Sequence, residues 1–460
     1  MTDLAKALAY AEAHQTDNLH ELMALLRIPS VSTQPERKED VNAAAQFVAQ
    51  ILTTAGLENV QIIPTDLHPL VYADWLHAGP DKPTVLIYGH YDVQPAEPFD
   101  AWVSPPFEPT IRDNYLYARG SSDDKGQTHL NIKAVEAYLK GTGSLPVNVK
   151  FIIEGEEEIG GPNLETFIAA HQDLLKADIA VISDTAMITP DQPAIVYGLR
   201  GLYVFFMDVT GPDHDLHSGT YGGAVNNPIN ALCHIISQLK DADGQVLVPG
   251  FYDRVRPLSP EERHLLAQYP RDEALVQKET NTPQVWGEAD FTVNERMGAR
   301  PTLDINGIIG GYTDAGSKNI IPSSVHAKMS FRLVPDQNPD EIAQLVQAYV
   351  EKIAPPSVKV QITPRGGAPA SITNYAIPAM QAARQTMAQV FGHEPILIRE
   401  GGSIPVVGLF QEHLRMETIM MGFGLPDDRI HSPNERFYLP NYVRGTETVI
   451  RFLAAYGEMG

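Results

Sequence analysis

Three short apolar runs in this chain each end in residues of the kind that hold metals, and that pairing narrows the folds open to it. Val85 to Tyr88 runs into Gly89-His90-Tyr91-Asp92. Val147 to Ile153 runs into Glu154-Gly155-Glu156-Glu157-Glu158, and Ile179 to Ile182 runs into Ser183-Asp184. The first and third have the unbroken apolar character of strands buried on both faces of an α/β sheet, and the second alternates well for a strand. Open α/β sheets bind ligands at the carboxyl ends of their strands. Gly89 turns the chain tightly without a Cβ. If the chain stays extended past it, His90 and Asp92 share a face. Any one of these strand ends reads equally well as a turn facing water. The argument comes from their recurrence.

A chain of 460 residues exceeds what one hydrophobic core usually takes, so two domains are expected. Hydrophobic residues make up 43% and charged residues 20%, an ordinary soluble composition. The formal net charge of −23 argues against nucleic acid and anionic membrane as partners, since both are polyanions. It suits a site that gathers divalent cations. The only cysteine, Cys233, excludes an intrachain disulfide and fits a reducing compartment. Its apolar neighbours predict a core position. The first residues lack the basic head and apolar block of a signal peptide, and no apolar run is long enough to span a bilayer. A soluble cytoplasmic protein is the expectation.

Along the chain, residues 4–27 predict a helix stopped by Pro29, and Val41 to Ala55 a second one closed by Gly56. Val60 to Ile63 and Leu70 to Trp75 predict strands. Residues 94–114, rich in proline and aromatics, predict an irregular wall of a cleft, and a helix follows from about Gln127 to Leu139. The character changes near Gly198. Strands over 202–210, 302–309, 325–333 and 358–363, with helices over 226–239 and 339–353, give the order β-α-β-β-α-β of the split βαβ sandwich. Residues 241–301 interrupt it with mixed sequence that has no assignment. Helical and apolar patterns resume after Pro378, with a closing helix over 440–456. The expected organisation is α/β: a catalytic domain with a mixed sheet between helices, from 1–198 and 376–460, and an inserted ferredoxin-like α+β lid and dimerisation domain at 199–375.

Five residues emerge as candidate metal ligands: His90, Asp123, Glu158, Asp184 and His431. All are imidazole or carboxylate, which suits zinc in a hydrolytic site, with manganese or cobalt as alternatives. Five protein ligands are too many for one catalytic zinc that keeps a water. They suit two metals about 3.5–4 Å apart sharing a carboxylate. Glu157, adjacent to Glu158, points another way in a turn and is the candidate general base. The alternative for Glu154 to Glu158 is an acidic helix start favoured by the macrodipole. Asp92 is placed to hydrogen-bond His90 and fix its tautomer. The Asp123-Asp124 pair also reads as a helix cap. The two jobs are compatible if different aspartates do them.

Seven segments then closely resemble the co-catalytic zinc peptidases, the family of cytosolic non-specific dipeptidases, carnosinases, aminoacylases and carboxypeptidase G2. They are GHYDVQP (89–95), RGSSDDKG (119–126), EGEEEIGG (154–161), ISDT (182–185), DLHSGTYGG (215–223), REGGSIPV (399–406) and RIHSPNE (429–435). The fifth and sixth point to the dipeptidase and carnosinase branch. The resemblance implies that His90 and Asp184 bind one zinc, Glu158 and His431 the other, and Asp123 bridges them across a cis Asp123–Asp124 peptide. It implies Glu157 as base and Asp92 as its supporting carboxylate. His217 is implied to reach a neighbouring subunit's site and stabilise the tetrahedral oxyanion, which makes a homodimer part of the machinery. Arg332 is implied to take the substrate's free C-terminal carboxylate, with Gly402 and Ser403 in a loop closing on the same group. Asn319 stands where close relatives carry threonine. Read without the resemblance, His217 caps a turn, Arg332 points to solvent and Gly401-Gly402-Ser403 is an ordinary turn.

The expected function is hydrolysis of the amide bond of a dipeptide or similar small peptide, by a water activated between two zinc ions. The inserted domain is expected to supply the dimer contact and half the pocket, with domain closure gating the chemistry. One rival is the same chemistry on an N-acyl or N-carbamoyl amino acid. Another is a metal- or peptide-binding protein without turnover, which has no need of Glu157 as a base.

Overall fold

The structure is a computed structural model and describes residues 2–459. The chain divides into two compact units. The first holds the segments through Tyr197, Thr373–Leu397 and from Leu409 on; the second holds Gly198–Ile372 and Ile398–Gly408.

In the first unit, strands order as Glu58–Ile63, Leu70–Trp75, Asn148–Glu154, Thr84–His90, Ile179–Ile182 and Glu417–Met420. The first two pairings are antiparallel, and Thr84–His90 is parallel to both its neighbours. Glu417–Met420 continues parallel to Ile179–Ile182. The sheet is therefore mixed, as expected. The parallel core is what matters for function: three strands end at the same edge, with His90 opposite Glu154 and Tyr88 opposite both Ile152 and Ile182. Every residue of Asn148–Glu154 and Ile179–Ile182 is buried.

The helix Lys125–Thr142 is buried from Lys125 to Tyr138. It packs against Asp3–Ala13, Lys38–Ala55, Leu439–Met459 and the strand Thr84–His90. A helix enclosed on all sides must satisfy its polar groups internally. Lys125 gives its ammonium to the carbonyls of Leu25 and Ile28 at 3.3 and 2.7 Å. His129 lies between Tyr442 at 2.8 Å and Glu21 at 3.0 Å.

A small sheet joins Thr110–Arg112, Tyr115–Tyr117 and Arg436–Tyr438. The irregular wall expected over 94–114 thus ends in a strand. Three-residue strands carry too little periodicity to be seen in sequence. This sheet sets the segment before Arg436 beside the segment after Tyr117.

The second unit is the ferredoxin-like sandwich. Its strands order as Thr302–Gly310, Ser324–Leu333, Gly201–Thr210 and Lys359–Ala368, all antiparallel. The helices Pro228–Leu239 and Pro339–Ile353 pack against it. Gly201–Thr210 alternates buried and half-buried positions, the mark of a sheet with one open face. Residues 241–301 form three short helices, Pro260–Ala267, Glu273–Thr280 and Val293–Gly298.

Three local expectations differ. The helix predicted over 4–27 is two helices broken at His14, whose Nδ1 lies 2.8 Å from the Tyr10 carbonyl. Cys233 is exposed rather than in the core, because its helix buries Ala231, Leu232, Ile235 and Leu239 and leaves Cys233 on the opposite side. Ile398–Gly408 belongs with the second unit rather than the first. There Arg399 pairs with Glu262 at 2.8 Å, and Ser403 bonds the Arg200 carbonyl at 2.6 Å.

The core of the second unit centres on Phe331, fully buried, with ring centroids 5.7 Å from Phe205 and 5.3 Å from Phe251. Phe331→Ala is expected to cost about 3–5 kcal/mol in urea unfolding. A loss below about 1 kcal/mol would show that this ring is not central to the packing.

Candidate metal centre

The edge where the parallel strands end brings His90, Asp123, Glu158, Asp184 and His431 together. Two clusters have ligand atoms all within 4.8 Å of one another: His90, Asp123 and Asp184, and Asp123, Glu158 and His431. Asp123 is in both and uses a different oxygen in each. Its Oδ1 lies 3.2 Å from His90 Nε2, and its Oδ2 lies 2.9 Å from His431 Nε2. Asp184 Oδ2 is 3.9 Å from His90 Nε2, and Glu158 Oε2 is 3.3 Å from His431 Nε2. One carboxylate facing two imidazoles is the shape of a bridging ligand between two ions.

His90 and Asp92 are both fully buried. His90 Nδ1 faces two oxygens of Asp92, the backbone carbonyl at 3.1 Å and the carboxylate at 3.4 Å. Both are acceptors, so Nδ1 carries the proton and Nε2 is left for a metal. The same carboxylate accepts the backbone N–H of Glu157 at 3.3 Å and of Glu158 at 3.1 Å. Asp92 therefore sets the imidazole and the acidic turn at once. That turn is a single 3-10 turn, Glu157–Ile159, and no longer helix starts there.

Asp124 occupies the N-cap position of Lys125–Thr142, yet its side chain makes no capping bond. Its Oδ2 instead accepts the Thr128 hydroxyl at 2.6 Å and the His90 N–H at 3.3 Å. The Asp123–Asp124 peptide is cis. His431 has φ +57°, a left-handed conformation that non-glycine residues seldom adopt.

Two supporting residues escaped assignment although both lie inside segments read as motifs. Gln94 donates to Glu158 Oε2 at 2.8 Å. Glu435, with no exposure, accepts the N–H groups of Gly120, Ser122 and Asp123 at 3.0 to 3.1 Å and the Arg119 guanidinium at 2.6 Å. Their signal was a polar residue beside a ligand-type residue, which is too common to stand alone.

The fit to cations follows from the donor set. Burial would lower the pKa of His90, but hydrogen bonds to Asp123 and Asp92 overcome it and hold the imidazole well above its usual value. Hydrogen bonds to Asp123 and Glu158 push His431 up to about 10. Burial, with Asp123 and Asp124 nearby, pushes the Asp184 carboxyl well above the usual carboxylate range. Burial raises Glu157 to about 7, with His90 opposing and Glu158 and Asp123 reinforcing. Such a set collects protons to offset its own negative charge, and dications do the same. Glu158 Oε1 is buried without a hydrogen-bond partner, a further acceptor suited to a metal.

The remaining predicted residues lie in the second unit. His217 and Asn319 are neighbours through a two-stranded ribbon, in which His217 pairs with Ile320 and the Asn319 carbonyl accepts Ser218 N–H at 3.1 Å. His217 Nδ1 accepts Thr220 N–H at 3.2 Å, so the turn-capping reading holds. That bond also requires an unprotonated Nδ1, so the neutral ring carries its proton on Nε2. Arg332 does not simply point to solvent. Its Nη1 donates to Ser403 Oγ at 3.1 Å, and Ser403 in turn donates to the Arg200 carbonyl. A Cβ at Gly402 would meet nothing within 4 Å, whereas one at Gly401 would lie 2.6 Å from Arg200 Nη2 and 2.8 Å from the Met297 carbonyl. Crowding therefore requires glycine at Gly401, not at Gly402.

Asp92→Asn keeps the size of the side chain but weakens its hold on His90 and the acidic turn. It is expected to lower metal affinity about 10–100-fold in a chelator competition titration. Unchanged affinity would show that Asp92 supports neither.

Comparison with known proteins places this architecture. The chain is 33% identical to human Beta-Ala-His dipeptidase over 99% of its length and 93% of that protein. It is 33% identical to a Cys-Gly metallodipeptidase of Schizosaccharomyces pombe over 92% of both. Among solved structures, the M20 family metallo-carboxypeptidase Sso-CP2 from Sulfolobus solfataricus superposes with a TM-score of 0.87 at 33% identity, covering 96% of this chain and 99% of that one. Residues 86–455 match the family described as Peptidase family M20/M25/M40. With a matched span that contains every cluster-forming ligand of the double site, the chain belongs to peptidase family M20/M25/M40 and is a metallopeptidase.

Proposed function

We propose that this protein hydrolyses the amide bond of dipeptides that carry a free C-terminal carboxylate. The observation that carries the reading is Asp123 presenting one oxygen to each of two imidazoles, beside a raised Glu157 carboxyl. The dipeptidase relatives support the substrate class. His90 and Asp184 would hold one ion, Glu158 and His431 the other, and Asp123 both. Zinc suits these ligands, with manganese or cobalt as alternatives. Two dications held there supply carbonyl polarisation and a lowered pKa for water.

Glu157 takes the proton from the attacking water as the oxygen bonds to the carbonyl carbon. It returns that proton to the amine as the carbon–nitrogen bond breaks. Its seat in the turn held by Asp92, next to Glu158, places it for both transfers. Asp92 keeps Nδ1 of His90 protonated and fixes the turn that carries Glu157. His217, with its proton on Nε2, is the donor for the developing oxyanion. Arg332, steadied by Ser403, recognises the free carboxylate. Asn319 and Gly402 belong to the same reading as neighbours of these groups.

The second unit is proposed as the lid and as the contact of a homodimer. Exposed Ile308 and Ile309 on the edge strand Thr302–Gly310 support that contact, at 52% and 68% exposure. A cytoplasmic location fits the lone, exposed Cys233. Among the described residues no helix is long and apolar enough to cross a membrane.

A second reading, carboxypeptidase action on longer peptides, is supported by the likeness to the Sulfolobus enzyme. A panel of dipeptides, longer peptides and N-acyl amino acids tests all three substrate classes on the zinc-loaded protein. Free-amine dipeptides are expected to have the highest kcat/KM, and a preference for either other class overturns the proposal. Glu157→Gln is expected to lower kcat by about 10²–10⁴-fold with metal content unchanged. Turnover at the original rate would remove Glu157 from the mechanism. Ile309→Asp is expected to shift sedimentation velocity from dimer to monomer, and a dimer that survives it would place the contact elsewhere.

A further inference from the structure

Residues 241–301 have no part in the reading so far. The first and third of their helices, Pro260–Ala267 and Val293–Gly298, and Arg300 just after the third lie directly against the loop that steadies Arg332. Arg399, with a side chain 5% exposed, pairs with Glu262 of the helix Pro260–Ala267 at 2.8 Å. A Cβ at Gly298 would lie 2.3 Å from the Arg399 carbonyl oxygen, so the two backbones touch. A Cβ at Gly401 would lie 2.8 Å from the Met297 carbonyl. Arg200 spans the junction: Nη1 donates to the Arg300 carbonyl and Nε to the Gly401 carbonyl, both at 3.3 Å. Burial, with Arg332 and Arg399 nearby, lowers Arg200 to about 10.

The insertion is itself tightly braced. Thr292 and Glu295 form a capping box at the start of Val293–Gly298. Arg263 holds both oxygens of that buried Glu295, at 2.9 and 3.1 Å. Arg300 and Glu288 form a two-point pair at 2.7 Å for each bond. The planar pair of Arg300 and Glu288 fixes direction as well as distance. A braced segment pressed on a glycine loop leaves the loop few other conformations.

We propose that the insertion is a buttress that sets the Gly401–Ser403 loop, and through Ser403 the Arg332 guanidinium, for a free carboxylate. Glu262, Arg399 and Arg200 are its positioning residues. The chain of contacts runs from Glu262 to Arg399, along the loop to Ser403, and from Ser403 to Arg332. This makes the insertion a determinant of specificity for substrates that end at the residue after the cleaved bond. The inference rests on the reading of Arg332 given above.

The test compares alanyl-alanine with its C-terminal amide on the zinc-loaded full chain, for wild type, Arg332→Met, Glu262→Gln and Gly298→Ala. Calorimetric titration of the metal-free proteins with alanyl-alanine reads binding apart from turnover. Glu262→Gln and Gly298→Ala are expected to raise KM for the dipeptide about tenfold, with kcat and the amide's KM little changed. The calorimetric affinity should fall in parallel. A general structural defect would lower kcat and affect the amide equally, and that result overturns the inference. So does a wild-type KM in both variants while Arg332→Met loses its preference for the dipeptide. Where Gly298→Ala does not fold, Glu262→Gln decides. If wild type itself treats dipeptide and amide alike, the fault lies in the reading of Arg332.

Discussion

The double site depends on a contact between residues 312 positions apart, the Glu435 carboxylate and the backbone N–H of Asp123. The loop carrying Asp123 has no regular structure to hold it. Its N–H groups would be orphaned in a dry interior, at about 1–3 kcal/mol each. Glu435 satisfies three of them and is neutralised by Arg119, which is itself 1% exposed. Removing one partner of a buried pair of this kind costs about 3–5 kcal/mol. The same residue directly precedes the strand Arg436–Tyr438, whose pairing with Tyr115–Tyr117 returns the tail to this loop. His431 lies four positions before it. One buried carboxylate thus ties together Asp123, shared by both candidate clusters, and His431.

The acidic turn raises a problem of charge that the structure divides among its members. Glu154 takes the Tyr88 hydroxyl. Glu156 takes Thr65 Oγ1 at 2.6 Å, the His68 N–H at 2.8 Å and the Asn163 amide. These two are absorbed into the scaffold. Glu158 turns to Gln94 and His431, and Glu157 keeps a raised pKa. The four carboxylates in five residues thus sit in different surroundings. Glu156 is held by several donors, burial and neighbouring carboxylates raise Glu154 to about 8, Glu158 faces the ligand cluster, and Glu157 lies beside it.

What could be read from the sequence was whatever follows from short-range pattern. Residues 85–88 and Ile179–Ile182 announce themselves by unbroken apolar runs and residues 147–153 by alternation, and the ligand-type residues at their ends follow from strand direction. The ferredoxin-like unit is legible because its helices and strands are long enough for their periods to differ. His431 was legible only in company with the other four ligands, since it sits in a loop and holds a left-handed backbone conformation. Glu435 and Gln94 were not legible, because their roles exist only after distant segments meet. Cys233 was misplaced for a related reason: apolar neighbours in sequence fill a helix face without including every residue between them. The loop Ile398–Gly408 was assigned by its position in the chain, whereas its ion pair to Glu262 decides where it belongs.

His217 illustrates why a turn-capping bond and the role proposed for the ring need not compete. A histidine that caps a turn accepts a backbone N–H at one ring nitrogen. That acceptance removes the choice of tautomer. With Nδ1 accepting, the ring proton of that tautomer lies on the outer nitrogen, and the cap fixes the direction of the ring. A cap of this kind preorganises the ring before any substrate arrives, and donors fixed in advance are the ones that stabilise developing charge without reorganising. Ser403 works the same way one step removed. Its proton is committed to the Arg200 carbonyl, so its oxygen can only accept from Arg332. In both cases the hydrogen bond that looks merely structural is what gives the neighbouring group a single orientation.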